Sequence, residues 1–587
     1  MSTRGKRPRL SPARRSGTIG AVKNRWTPLF LAVCAILSVL FLLPIFLVVK
    51  GGFWDDGGFT LRHLLSVFRN PVYSEGLLNS VCIATGTTSL CLLVSLPLAW
   101  ISHKYEFPGK AFFSAIVLVP MILPPFVGAI GMQQILGRYG VLNAVFGASV
   151  DWLGQARYFG VVAIQALALY PIVYLNATAA LANVDPAMDE AAANLGCPGW
   201  KRFFRVTLPL IAPGLFAGCT IVFIWSFTEL GAPLMLGYST CASVQVFDAL
   251  KEIGASHFPY ALVFVVLSVS VLLYAAGKLA FGRNSFAMQG KAAVTFKPVR
   301  LRGIGAAPAV LPFALVSFVA LLPHFGVVLT SLSKPGSWYG TLLPETFTLG
   351  NYAEALGHDM TVASIRNSLL FSSVAVCVNL VLGVGVAFLV VRSKIRGAGI
   401  LDALSMIPLA VPGLVMAFGY LAISSWLSNL GWVRTSAFWT GVFDVRVNPS
   451  LFLVVAYAVR RLPYMVRSAA AGLQQTSEAF EEAAWNLGAT PARTVRRVTL
   501  PLIAANLVAG LLLAFAFSML EVSDSLMLAQ QARFYPITKT IYELFQLLGT
   551  GKYVASALGV WAMMFLTATI AGVSVLLGKK MGALFRV

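Results

Sequence analysis

Three carboxylates interrupt otherwise apolar sequence. Glu229 lies in the run from Leu210 to Leu236, and Glu521 and Asp524 lie in the run from Leu502 to Leu528. A spacing of three residues puts the last two near one helical face. No Ser-His-Asp or zinc-ligand spacing accompanies them, so no catalytic residue and no metal site is assigned. The seven cysteines (Cys34, Cys82, Cys91, Cys197, Cys219, Cys241, Cys377) are odd in number and lie mostly in or beside apolar runs, as small hydrophobes do. A phosphate cradle needs Gly, four residues, then Gly-Lys-Ser/Thr. The nearest candidate, Gly551-Lys552, is followed by Tyr553 and has Gln546 where the first Gly belongs. The chain is therefore expected to do no covalent chemistry of its own.

The elements that position these acids follow from composition. Of 587 residues, 58% are hydrophobic and 11% charged, which excludes an ordinary water-soluble protein. A bilayer core needs roughly 20 apolar residues per helix, and we find twelve such stretches. The net charge of +22 is concentrated in the tail Met1 to Thr27 and in Lys278 to Arg302, neither of which holds an acid. Basic segments mark the cytoplasmic side, so both are placed there, an even number of spans apart. No aromatic-basic groove accompanies the charge, which argues against nucleic acid as a partner. The apolar run Pro28 to Val49 is too long for a signal core, and Lys50-Gly51-Gly52 offers no cleavage site, so it reads as a first span.

The chain repeats itself. Phe59-Thr60-Leu61 recurs as Phe347-Thr348-Leu349, Asn79-Ser80 as Asn367-Ser368, Pro120 and Pro124 as Pro408 and Pro412, and Gly131 as Gly419. Further on, Pro171 matches Pro463, Glu190-Ala191-Ala192 matches Glu482-Ala483-Ala484, and Glu229 matches Glu521. The second copy gains residues between Gly419 and Pro463, for which the polar stretch Ser428 to Pro449 is the natural place. The expected fold is an all-α integral membrane protein of about twelve transmembrane helices in two parallel six-helix repeats. Its parts are a basic cytoplasmic tail (1–27), a first half (28–281, with a cytoplasmic loop at 185–209), a basic linker (282–304) and a second half (305–587, with a loop at 477–501).

Those two loops share their internal spacing. Asp189-Glu190-Ala191-Ala192-Ala193-Asn194-Leu195-Gly196 is followed after nine residues by Val206-Thr207-Leu208-Pro209; Glu481-Glu482-Ala483-Ala484-Trp485-Asn486-Leu487-Gly488 is followed after nine by Val498-Thr499-Leu500-Pro501. Acids favour the positive end of a helix dipole and Ala favours helix, so each loop starts a short helix well. Gly196 and Gly488 permit the left-handed conformation that ends it. A short basic segment follows in each copy, and the proline marks entry into the next span. The product is a helix-turn-helix lying flat under the membrane, with small residues that let another protein approach.

In these loops the chain resembles the type I permeases of binding-protein-dependent ABC importers, whose EAA signature is Glu-Ala-Ala, three residues, Gly, nine residues, Ile-x-Leu-Pro. Both copies match, with Val for Ile, and the resemblance covers nearly the whole chain beyond the tail. It implies that Glu190, Ala191, Ala192 and Gly196, with Glu482, Ala483, Ala484 and Gly488, face two copies of an ATP-binding subunit. ATP and magnesium would then reside on that partner. It also implies a periplasmic or lipid-anchored substrate-binding protein, a bacterial inner-membrane location, and transport by alternating access with both termini in the cytoplasm. Fusion of two halves is similar to ferric-iron permeases, and to their relatives for 2-aminoethylphosphonate, thiamine and polyamines. Ferric iron is the expected cargo. An ATP-independent secondary transporter also uses twelve spans, but would leave the paired loops without a purpose.

Glu229 lies twenty residues past Pro209, about 30 Å along a straight fifth span, which places it near the outer mouth. Glu229, Glu521 and Asp524 then line an external gate or meet a docked binding protein, or are simply carboxylates in interfacial water. Arg460, Arg461 and Arg467 are placed near the cytoplasmic end of the tenth span, as snorkelling side chains or as an inner gate. Pro120, Pro124, Pro408 and Pro412, with Gly131 and Gly419, break the third span of each half, either bordering a pathway or kinking for packing.

Overall fold

The computed structural model describes residues 26–55, 57–121, 124–153, 157–252, 256–281, 298–393 and 395–577. The basic tail up to residue 25 and residues 282–297 of the basic linker lie outside the described residues. Among the described residues, eight helices are long and apolar enough to cross a membrane: Thr27–Phe53, Pro71–Lys104, Arg157–Ala182, Gly199–Phe227, Phe258–Ala276, Gly303–Leu332, Asp359–Val391 and Gly551–Gly572. Three more spans are bent pairs. The remaining one, Ser450–Gln475, is equally long but carries Arg460, Arg461 and Arg467. Short helices such as Arg62–Arg69 and Ile537–Gln546 join the spans, and the described strands form two pairs of two residues each: Trp54–Asp55 with Gly58–Phe59, and Tyr105–Glu106 with Val299–Arg300.

The third span of each half breaks at its prolines. Lys110–Met121 meets Pro125–Phe146 at 99°, and Ala398–Leu409 meets Gly413–Ser428 at 100°. Proline lacks the N–H that would continue a helix and biases the residue before it away from helical dihedrals. Pro124 and Pro412 accordingly sit extended, at ψ 141° and 135°, as the caps of the second pieces. Gly131 and Gly419, expected to take part in the breaks, lie instead inside those second pieces. There they permit close crossing by the first span of the opposite half: a Cβ on Gly131 would meet the Val327 nitrogen at 2.8 Å, and one on Gly419 the Pro44 Cβ at 2.7 Å. Polar contacts seal both crossings. The Tyr420 hydroxyl donates to the Leu40 carbonyl (3.1 Å), and Gln134 Nε2 donates to the Trp338 carbonyl (2.9 Å). The halves are thus interlocked, and one apolar core runs through both.

The fifth and eleventh spans end earlier than their apolar runs. Their helices stop at Phe227 and Met519, and short helices follow, Gly231–Met235 and Ser523–Leu528, where continuous spans to Leu236 and Leu528 were expected. Hydroxyl groups compete for the backbone at the breaks: Ser243 Oγ donates to the Glu229 carbonyl (2.8 Å) and Thr538 Oγ1 to the Glu521 carbonyl (2.7 Å). The repeated Asn-Ser pair pins the segment that follows. Asn79 Nδ2 donates to the Thr240 carbonyl (2.8 Å) and Ser80 Oγ accepts from Ala242 N (2.9 Å). Asn367 and Ser368 do the same for Tyr535 (3.2 Å) and Ile537 (2.8 Å).

Candidate functional site

The acid of the fifth span faces the other half. Glu229, expected near an outer mouth, stands just past the end of the fifth-span helix at Phe227 and lines a cavity of about 140 Å³ between the halves. Pro124, Gln165 and Glu229 come to this cavity from the first half, and Arg460, Arg461 and Glu521 from the second. A smaller adjoining space, lined by Pro412 and Gly413, shares Trp225, Thr228 and both arginines with it. The two proline breaks therefore border neighbouring spaces.

Arg460 and Arg461 are not at the cytoplasmic end of the tenth span. They lie near the middle of Ser450–Gln475, about 21 Å along the helix from Gln475, whereas Arg467 is lower and pairs with Asp402 at 3.4 Å. Isolated charge at this depth is costly, and each guanidinium has found an acid. Arg460 Nη1 is 2.8 Å from Glu521 Oε1 and 3.6 Å from Asp524 Oδ2. Arg461 Nη2 pairs with Glu521 Oε2 and donates to the Phe517 carbonyl at 3.0 Å. Glu521 is 4% and Asp524 1% exposed. Gly413 makes room for this cluster, since any Cβ there would collide with the Arg460 guanidinium. Asp524 is held behind Arg460, away from the cavity lining. Half-buried Glu229 makes no ion pair within 4 Å among the described residues: its Oε1 accepts from Gly231 N at 3.1 Å.

Sequence reasoning missed the pairing of span ten with the break after span eleven, and it missed Gln165. That side chain is fully buried, its Oε1 accepts from Ser226 and from Thr87 (3.4 Å), and its Nε2 makes no hydrogen bond among the described residues. One signal was present. The first half has Ala168 and Leu169 where the second has the arginines, and Ala232 where the second has Asp524, so new cations and a new acid arrive together. Chemically the cluster pairs two guanidiniums with Glu521 and Asp524, and Glu229 faces it across the cavity.

The loops form as their composition dictates. Helices Pro186–Asn194 and Ala479–Asn486 each end at a left-handed glycine, Gly196 at φ 78° and Gly488 at φ 82°. Both ends close with the same two backbone bonds. Cys197 N donates to the Ala192 carbonyl (3.0 Å) and Gly196 N to Ala193 (2.9 Å); Ala489 N donates to Ala484 (3.0 Å) and Gly488 N to Trp485 (2.9 Å). Glu190, Ala191, Glu482 and Ala483 are exposed, and Ala192 and Ala484 half-buried. Leu195 and Leu487, which were not singled out, are each 88% exposed beside the glycine. Both copies thus present an apolar side chain at the same place beside the glycine. A π-helical turn precedes each motif's proline, at Phe203–Thr207 and Val495–Thr499. This wider turn relieves the clash of Pro209 and Pro501 with the preceding turn's carbonyl.

Known proteins resemble this chain in sequence. The family model described as the binding-protein-dependent transport system inner membrane component matches twice, at residues 95–279 and 379–577, together more than half of the chain. The ferric transport system permease protein FbpB of Actinobacillus pleuropneumoniae is 26% identical over 521 residues, 83% of this chain and 70% of that protein. The putative ferric transport system permease protein FbpB 1 of Haemophilus influenzae is 26% identical over 522 residues, 84% of this chain and 76% of that protein. The molybdenum transport system permease protein ModB of Escherichia coli is 33% identical over 162 residues, 26% of this chain and 69% of that protein. With each half matching the family across its cytoplasmic loop, the chain belongs to the binding-protein-dependent transport system inner membrane components, as a multi-pass ABC importer permease with two family domains in one polypeptide.

Proposed function

We propose that this permease passes ferric iron inward through the cavity between its halves, receiving it from a substrate-binding protein and driven by two copies of a separate ATP-binding subunit. The observation that carries the proposal is the pair of equally spaced loops, each presenting a short helix and an exposed leucine. Glu190, Ala191, Ala192 and Gly196, with Glu482, Ala483, Ala484 and Gly488, form the two docking faces. ATP and magnesium are bound and used by the partner, and this chain performs translocation alone. Basic residues at both ends of the first half favour a cytoplasmic N-terminus, and an even number of spans favours a cytoplasmic C-terminus. Glu229 and Glu521, with Pro124 and Pro412, form the central gate, and Asp524 backs it from behind Arg460. The cargo follows from the two ferric transport relatives. A small oxyanion is the second reading, favoured by the two arginines on the cavity wall.

Photocrosslinkers at positions 195 and 487 of the purified complex should both capture the ATP-binding subunit, while one at exposed Val145 should not. Failure at both positions removes the docking assignment. Cells lacking this chain should lose uptake of iron and retain uptake of molybdate; the reverse would replace the cargo.

A further inference from the structure

We propose that Arg392 is a positioning residue that clamps the second loop to the transmembrane helices, so that this loop carries most of the ATPase movement into the spans; the proposal rests on the loops being the docking elements. Arg392 caps the eighth span, Asp359–Val391, and its side chain is only 7% exposed. Its Nη2 donates to the carbonyls of Leu473 and Thr476, both at 2.8 Å, at the end of the tenth span. Its Nε lies 3.3 Å from Glu481 Oε2 and its Nη1 3.7 Å from Glu478 Oε1, both in the second loop. Glu481 in turn accepts from Thr499 Oγ1 (3.0 Å) at the entry to the eleventh span. One guanidinium thereby joins four segments, using a rigid fork of donors that lysine does not possess.

Among the described residues, no arginine joins the first loop to its spans in this way. The residue at the place of Arg392 is Lys104, whose Nζ lies over the Trp100 ring at 4.8 Å. Asp189, at the place of Glu481, pairs with Arg202 of its own loop at 2.8 Å and is 37% exposed. Its electrostatic neighbour on the second span is His103, a cation only when protonated. Helix Pro186–Asn194 buries none of its residues, whereas Ala479–Asn486 buries Glu481. Movement is passed on through contiguous polar and packed contacts: beneath the first half Trp100 packs on Phe203 of the loop at 6.1 Å, whereas beneath the second a buried guanidinium makes the connection.

Hydrogen exchange on the full chain in nanodiscs, without ATP-binding subunits, tests the clamp itself. Amides of 479–486 should exchange about tenfold more slowly than those of 186–194, and Arg392→Met should remove the difference. Equal rates in the unaltered chain overturn the clamp. In the reconstituted importer, Arg392→Met and Arg392→Lys should lower transport per ATP hydrolysed by about fivefold, and Lys104→Met should leave that ratio unchanged. The ratio is insensitive to how much protein folds, so an equal effect at the two positions overturns the assignment of the second loop. If crosslinks from positions 195 and 487 miss the ATPase while the exchange difference stands, it is the docking reading that fails.

Discussion

Glu521 answers two guanidiniums at once, so its loss is felt by both. Glu521→Gln leaves Arg460 and Arg461 with Asp524 as their remaining close acid, at 3.6 Å from Arg460, and should destabilise the chain by about 3–5 kcal/mol in thermal or denaturant unfolding. Adding Arg461→Met to Glu521→Gln should recover much of that stability, because a matched pair is then removed, while transport remains low. Glu229→Gln breaks no ion pair and should leave unfolding within about 0.5 kcal/mol of the parent while reducing transport. Unchanged transport in both single variants would remove the carboxylates from the pathway. The identity of these acids was readable because they interrupt apolar runs. Their partners were not, because the tenth span's register against the break after the eleventh is a tertiary fact.

At the scale of elements, glycine does two different jobs. Gly488→Val forces a β-branched residue into the left-handed region at an exposed loop end, costing roughly 1–2 kcal/mol locally and leaving the spans intact. ATP hydrolysis should then run without transport, and more severely when Gly196→Val is added. Gly131→Val acts instead on packing. Its Cβ would press on the opposite half's first span, an overpacking cost of about 1–3 kcal/mol, whereas Gly385→Ala, in an open position of the eighth span, should be neutral or slightly stabilising. Melting of the three variants separates these cases. The loop glycines were legible because a helix end is local: acid, alanines and glycine fix it within eight residues. Gly131 and Gly419 were recognised as repeated but assigned to the proline breaks, since no local pattern reveals that a helix from the other half crosses there. The Asn-Ser pairs were equally visible as repeats, and their use as pins for a segment some 160 residues away was not.

The whole molecule is a pair of interlocked halves with unequal interiors. Because each first span packs on the other half's broken third span, neither half alone can cover its own apolar surface. Residues 1–281 and 298–587 produced separately should aggregate, and produced together should copurify and restore transport; a stable, soluble-in-detergent single half would contradict the interlock. The duplication itself was written in the sequence, but the exchange of first spans was not, since hydropathy gives the number of spans and not their neighbours. Central to the account is that two docking loops convert ATP hydrolysis into inward transport through the shared cavity. Proteoliposomes containing this chain, its ATP-binding subunit and its binding protein test that claim most directly. Uptake of iron with ATP, and none with ADP or without the ATP-binding subunit, is the expected result; uptake driven by an ion gradient in the absence of ATP would contradict it.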